Sequence, residues 1–112
     1  MQKNISTVIV DDEKNNLEFL QELLVEYCPQ LQINGSAESA VAASDLIDEI
    51  QPQLVFMDID MPGMTGFELL KKLEPLSFEV IFVTAYNQHA LEAFEYNAVA
   101  YVTKPIDRKS VV

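Results

Sequence analysis

The sequence has few of the residues that mark several large classes of protein. It contains one cysteine, no tryptophan, and only seven lysine and arginine residues against eighteen acids. Because Cys28 has no partner in the chain, no internal disulfide can form, and we expect a cytoplasmic protein with Cys28 as a small buried apolar side chain. The net charge of −11 argues against binding of this fragment to nucleic acid or to an anionic membrane. It favours a cation requirement if several carboxylates converge.

Long apolar runs are also missing. No stretch approaches the roughly 20 residues that cross a bilayer, and Met1-Gln2-Lys3-Asn4 lacks the basic and then apolar plan of a signal peptide. A chain of 112 residues with 49% hydrophobic residues can build a real core. We therefore expect one domain over residues 1–112 and no membrane partner.

Short apolar segments alternate with segments of helical periodicity. Strands are predicted at Ile5 to Val10, Leu31 to Ile33, Leu54 to Met57, Val80 to Val83 and Val99 to Val102. Helices are predicted at Lys14 to Tyr27, from a Ser36 or Ser39 cap to about Gln51, at Phe67 to Leu73, and at about Gln88 to Tyr96. The second strand is short and poor, which suits a sheet edge, and Asn34-Gly35 is interpreted as the turn after it.

This alternation predicts an α/β fold with a doubly wound, five-stranded parallel sheet and helices on both faces. The order 2-1-3-4-5 is taken from known flavodoxin-like folds, and right-handed crossovers agree with it. Such a sheet needs a closing helix after the last strand, but residues 106–112 supply at most two turns. We expect that C-terminal helix to be truncated. A partly bare sheet face beside the first helix then predicts self-association, as a dimer.

Polar side chains follow four of the predicted strands. At the carboxyl ends of parallel strands, where ligands bind in open α/β sheets, the sequence has Asp11, Asp12, Asp58, Thr84 and Lys104. Any one of them would be ordinary at a surface, but their coincidence on four strands favours function. Crowded carboxylates repel one another, and Mg²⁺ relieves this with few protein ligands. An aspartate can attack phosphorus, and a hydroxyl and an ammonium group would stabilise the product.

Four motifs resemble those of the receiver domain of bacterial two-component response regulators. They are Val8 to Glu13, Met57 to Gly66, Val83-Thr84-Ala85 and Lys104-Pro105. The resemblance implies that Asp58 accepts a phosphoryl group from a phosphohistidine of a sensor histidine kinase. It also implies a Mg²⁺ site with direct ligands from Asp12 and Asp58, a water-mediated ligand from Asp11, and the backbone carbonyl of Asp60.

The same resemblance implies a switch. Thr84 would move towards the phosphoryl group, Tyr101 matches the switch aromatic, and Lys104 would pair with the phosphate. The bond before Pro105 is expected to be cis. Phosphorylation would then change the surface of the fourth helix and fifth strand. The chain is expected to be a signalling domain that catalyses its own phosphoryl transfer, not a conventional turnover enzyme.

The run from Thr84 to Phe94 looks most like receivers of LytTR-type transcription regulators. Those proteins carry a DNA-binding domain after the receiver, and we expect none within these 112 residues. The resemblance therefore implies that any DNA control belongs to an output domain of the parent protein.

The sequence leaves two other interpretations open. A phosphorylation-independent pseudo-receiver, acting only as an interaction module, is the main alternative, although such modules usually lack one of the five site groups. Asp58-Ile59-Asp60 also resembles the motif of haloacid dehalogenase-type phosphatases, but Pro62 departs from that motif and the chain has no room for a cap domain. Labelling by acetyl phosphate and turnover of a phosphate monoester would separate these possibilities.

Overall fold

The computed structural model describes residues 4–85 and 100–104, in which strands alternate with helices. The strands are β1 (Ile5–Val10), β2 (Leu31–Ala37), β3 (Leu54–Met57), β4 (Glu79–Thr84) and β5 (Ala100–Thr103), and the helices are α1 (Lys14–Tyr27), α2 (Ala40–Ile50) and α3 (Gly66–Leu73). The predicted fourth helix, the closing helix and the expected cis bond at Pro105 lie outside the described residues.

The five strands form one parallel sheet in the order β2-β1-β3-β4-β5, which confirms the predicted fold and topology. The order matters for function because it makes β1 and β3 neighbours. Val10 pairs with Met57, so the residues that follow these two strands leave the sheet at the same edge. Thr84, the last residue of β4, pairs with Thr103 of β5.

Each face of the sheet carries its own apolar cluster, because successive strand residues point to opposite faces. The face covered by α2 and α3 includes the rings of Phe67 and Phe82, whose centroids lie 5.1 Å apart in an edge-to-face arrangement. The face covered by α1 is built mainly from Ile9, Leu17, Leu20, Leu24, Phe56 and Val83. Among the residues with coordinates, no helix is long and apolar enough to span a membrane.

The helical spacing of Leu17, Leu20, Leu23, Leu24 and Tyr27 predicts an apolar stripe along α1, and most of it is confirmed. The four leucines of that stripe are all buried, whereas Tyr27 at the end of the helix remains 38% exposed. Cys28, expected to be buried, is only half-buried, although it packs against the α1-side cluster. Both residues lie at the C-terminal end of α1, where the helix ends and the loop that leads to β2 begins.

The second strand corrects the predicted turn. Asn34 and Gly35 lie inside β2 rather than after it, and the strand is at the sheet edge as predicted. Thr7 pairs with Ile33 and Val8 with Gly35, so Asn34 is the extra residue of a β-bulge. The glycine serves close packing rather than a turn, because a β-carbon at position 35 would lie 2.9 Å from Cδ2 of Leu46.

Two helix caps fix the segments around the sheet edge. Oγ of Ser39, and not of Ser36, caps α2 by accepting a hydrogen bond of 3.1 Å from the amide of Ala42. A capping box opens α3: the amide of Glu68 donates to Oγ1 of Thr65, and the amide of Thr65 donates to Oε1 of Glu68. The amide of Gly66 also donates to the carbonyl of Ile59, so the loop after β3 is held at both ends.

Candidate functional site

The predicted site residues begin where the strand hydrogen bonds end. The amide of Asp58 donates to the carbonyl of Val10, and the amide of Lys104 donates to the carbonyl of Thr84. The amide of Asp11 similarly donates to the carbonyl of Ala37. Because the sheet register fixes these three backbones, their side chains leave the sheet from fixed points at the carboxyl ends of β1, β3 and β5.

One ammonium group joins two of the carboxylates. Nζ of Lys104 lies 2.7 Å from Oδ2 of Asp11 and 3.1 Å from Oδ2 of Asp58. Both aspartates are only 5% exposed. Buried charges are tolerated when they are paired and hydrogen-bonded. Among residues 4–85 and 100–104, a single positive charge serves these two negative ones.

The pKa values report the same imbalance. Burial raises the pKa of Asp58 above its usual value, and this outweighs the opposing attraction of Lys104. Burial also raises the pKa of Asp12, and the neighbouring charge of Asp11 adds to the rise. For Lys104, burial acts to lower the pKa, but its hydrogen bonds and charge interactions with the two aspartates leave the pKa raised overall.

Thr84 reaches the site through a contact that the sequence did not predict. Its side chain is fully buried, and Oγ1 donates to Oδ2 of Asp60 at 3.1 Å. The amide of Asp60 in turn donates to Oδ1 of Asp58 at 3.2 Å. The hydroxyl is therefore linked to Asp58 through residue 60. Tyr101, the predicted switch aromatic, is half-buried on β5 and packs against the α2–α3 cluster.

Three acids after β1 form a candidate metal site. Carboxylate oxygens of Asp11, Asp12 and Glu13 lie within 4.8 Å of one another. An oxygen-only donor set suits a hard cation such as Mg²⁺. Glu13 was not among the metal ligands predicted from the sequence, although the three acids are consecutive in the chain. Asp58 is outside this group and connects to it through Lys104 and Asp11.

The site opens into a cavity of about 380 Å³ next to α1. Polar residues of the site, Asp11, Glu13 and Lys104, line one part of it, and Phe19 and Leu20 of α1 line another. The side chain of Phe19 is 47% exposed there. The acidic strand ends therefore border a cavity that extends to α1.

Comparisons with known proteins agree with this geometry. The family model for the response regulator receiver domain matches residues 7–112. An uncharacterized response regulatory protein of Vibrio cholerae is 45% identical over 104 residues, which is 92% of this chain and 44% of that protein. The sensory transduction protein LytT of Bacillus subtilis is 37% identical over 109 residues, 96% of this chain and 45% of LytT. The chain thus spans less than half the length of these relatives.

The fold comparison gives the same result. The crystal structure of the response regulatory domain of protein mrkE from Klebsiella pneumoniae superimposes with a TM-score of 0.84 at 27% identity, covering 94% of this chain and 87% of that one. The resemblance to receivers, including those of the LytTR type, is thereby confirmed. The chain belongs to the receiver domain family of two-component response regulators.

Proposed function

We propose that this domain accepts a phosphoryl group on Asp58 from a phosphohistidine of a sensor histidine kinase. The observation that carries the proposal is the position of Lys104, whose ammonium contacts both Asp58 and Asp11. Asp58 is a buried carboxylate, and its only described cationic partner, Lys104, also pairs with Asp11. Additional positive charge next to Asp58 would therefore be favourable. The raised pKa of Asp58 reflects the same environment.

In the proposed transfer, a carboxylate oxygen of Asp58 attacks the phosphorus of the donor. A new P–O bond forms as the P–N bond to the imidazole breaks, and the imidazole leaves with the electron pair. The product is an acyl phosphate, in which a phosphoryl group with a charge of about −1.5 to −2 replaces the single negative charge of the carboxylate in an already acidic pocket. Lys104 would offset part of that charge, and the hydroxyl of Thr84 would donate to a phosphoryl oxygen.

We propose that the phosphoryl transfer requires Mg²⁺, because the available ligands are all oxygen atoms, which this cation prefers. The residues that would hold the ion are Asp12 and Asp58 directly, Asp11 through water and Asp60 through its backbone carbonyl, with Glu13 close to this group. When bound, the ion would supply the positive charge that the two buried aspartates lack. The chain's own contribution is to bring these residues to the ends of two adjacent strands, β1 and β3.

The proposed output is a change on the β5 side of the sheet. Movement of Thr84 towards Asp58 would leave space next to β4, and Tyr101 lies on the neighbouring strand, paired with Phe82. We propose that Tyr101 fills this space and so changes the surface that β5 presents. The change in charge at Asp58 would then favour one of two arrangements of Thr84 and Tyr101 over the other.

Labelling with acetyl phosphate tests the assignment. Wild-type protein with Mg²⁺ should gain the mass of one phosphoryl group, and Asp58→Asn should gain none. Asp48→Asn is the matched control, because it makes the same change on an exposed position of α2. If Asp58→Asn labels at the wild-type level, the assignment is wrong. A wild-type domain that binds partners but takes no label would support the pseudo-receiver alternative.

We also propose self-association of the domain through the α1 side. Phe19 and Val25 of α1 are 47% and 62% exposed, and large exposed apolar side chains favour association. Sedimentation velocity should give a mass that rises with protein concentration. Phe19→Ser should weaken this dependence more than Val41→Ser does. Val41 is a suitable control because it is also an exposed apolar residue, at 70% exposure, but lies on α2 instead of α1. A constant monomer mass would contradict the proposal.

For the parent protein, we propose that phosphorylation controls a DNA-binding output domain. The similarity to LytT and to LytTR-type receivers supports this. Promoter binding by the full-length protein should then increase with phosphoryl donor and not in its Asp58→Asn form. Equal binding in both forms would exclude control through Asp58.

A further inference from the structure

The side chain of Asp60 makes a contact that its proposed metal role does not use. In that role only the backbone carbonyl of Asp60 matters. Yet Oδ2 of Asp60 accepts the hydrogen bond of the Thr84 hydroxyl at 3.1 Å, across 24 residues of sequence. The carboxylate therefore links the loop after β3 to the end of β4.

The two partners differ sharply in exposure. Thr84 is 0% exposed, whereas Asp60 is an exposed residue. A buried hydroxyl needs a hydrogen-bond partner, while a carboxylate at the surface can exchange its partner for water at little cost. The contact therefore matters more for the position of Thr84 than for the position of Asp60.

A threonine hydroxyl has one proton to donate. In the described structure that proton is directed to Asp60. If Thr84 is to donate to a phosphoryl oxygen on Asp58, the bond to Asp60 must break. Two acceptors, one on residue 60 and one on residue 58, thus compete for a single donor. Their competition links the position of Thr84 to the phosphorylation state.

We propose that the Asp60 carboxylate is a positioning residue that holds Thr84 in its resting place and so sets how readily the phosphorylated arrangement forms. The inference rests on the proposed phosphorylation of Asp58 and names a regulator of that same site. A charged acceptor makes the stronger hydrogen bond, so an aspartate favours the resting arrangement more than a neutral residue would. Removing the acceptor shifts the population towards the arrangement that binds the phosphoryl group.

Binding of beryllium fluoride with Mg²⁺, as a phosphoryl mimic, measures this population. Asp60→Ala should bind it about three- to tenfold more tightly than wild type, which is the range expected for one lost hydrogen bond. Asp60→Asn keeps an acceptor oxygen but loses the charge, so its affinity should fall between the two. Glu49→Gln, an exposed acid on α2, controls for the change in net charge.

Asp60 could act through the Thr84 hydroxyl or by repelling the ligand directly. Comparing the affinity of Thr84→Val with that of the Thr84→Val, Asp60→Ala double variant separates these two possibilities. If Asp60 works through the hydroxyl, Asp60→Ala should have no effect once the hydroxyl is gone. If the gain is as large in Thr84→Val as in wild type, or if Asp60→Asn equals Asp60→Ala, then Asp60 repels the ligand directly and the proposal is wrong. Unfolding midpoints of all variants, measured first, show that each is folded at the assay temperature.

A failure of the underlying function looks different. If wild type does not bind the mimic, or if Asp58→Asn binds it equally well, the proposed phosphorylation of Asp58 fails and the role of Asp60 fails with it. If wild type binds, Asp58→Asn does not, and the Asp60 variants match wild type, then only the role of Asp60 is wrong.

Discussion

Gly66 leaves room for the carbonyl of Asp58. A β-carbon built at position 66 would lie 2.7 Å from that oxygen and 3.2 Å from Cα of Ile59. The first contact is with rigid backbone, so the added atom can be accommodated only if α3 or the loop after β3 shifts. Gly66→Ala should therefore lower the free energy of unfolding by about 1–3 kcal/mol in a urea titration.

Gly35→Ala is the matched control for this change. Its added β-carbon would meet the methyl ends of Leu46 and Ile50, which can move by small rotations. It should therefore cost less stability than Gly66→Ala. Equal losses in the two variants would show that the backbone contact at Asp58 has no special role.

Removal of the Lys104 ammonium should weaken phosphoryl transfer without abolishing it. In Lys104→Ala the buried carboxylates of Asp11 and Asp58 lose the cation that they share. Labelling by acetyl phosphate should slow by on the order of 10²-fold, the usual effect of removing one preorganised donor. Lys72→Ala, on the exposed side of α3, should label at the wild-type rate, and an equal effect of both changes would point to net charge alone.

Added Mg²⁺ should stabilise the folded domain, because the clustered oxygens exist only in that state. At a free concentration of 100 times its dissociation constant, a ligand of the native state adds about 2.7 kcal/mol. The thermal midpoint should rise by several degrees, and Asp12→Asn should lose most of the rise. Asp48→Asn should retain it. A midpoint unaffected by Mg²⁺ in wild type would count against a site at these residues.

Stability of the metal-free domain should fall as the pH rises through the range in which Asp58 ionises. Its folded pKa is raised, through burial, from an ordinary value of 3.8. The folded state therefore holds more protons than the unfolded state just above that pH, and stability is lost as the pH rises to the folded value. Urea titrations across this range should show Asp58→Asn gaining stability relative to wild type. If the difference in unfolding free energy between the two proteins does not change with pH, the pKa of Asp58 is not raised in the folded state.

The sequence predicted the sheet well because apolar strands and polar strand ends are local signals. The coincidence of Asp11, Asp58, Thr84 and Lys104 at one edge followed from strand order, and the described contacts bring all four into one linked set. The side-chain partners did not follow. The bond between Thr84 and Asp60 depends on how the loop after β3 folds back, which no spacing rule encodes.

The error at β2 has a comparable cause. Asn34-Gly35 is a strong turn signal in isolation, but here the pairing with β1 absorbs Asn34 as a bulge, and its Nδ2 donates to Oγ of Ser6 at 2.7 Å. The glycine packs closely against the side chains of Leu46 and Ile50 on α2. Tertiary packing therefore overrides the local preference, and only coordinates reveal it.

The bond between Lys104 and Asp11 spans 93 residues. During synthesis the first strand emerges long before the last, and contacts between such distant positions form late, after the loop-closure entropy has been met. A nascent chain that has not yet docked β5 has the acidic strand ends but no ammonium beside them. The charge balance of the acidic strand ends is therefore completed only when the last strand of the sheet docks.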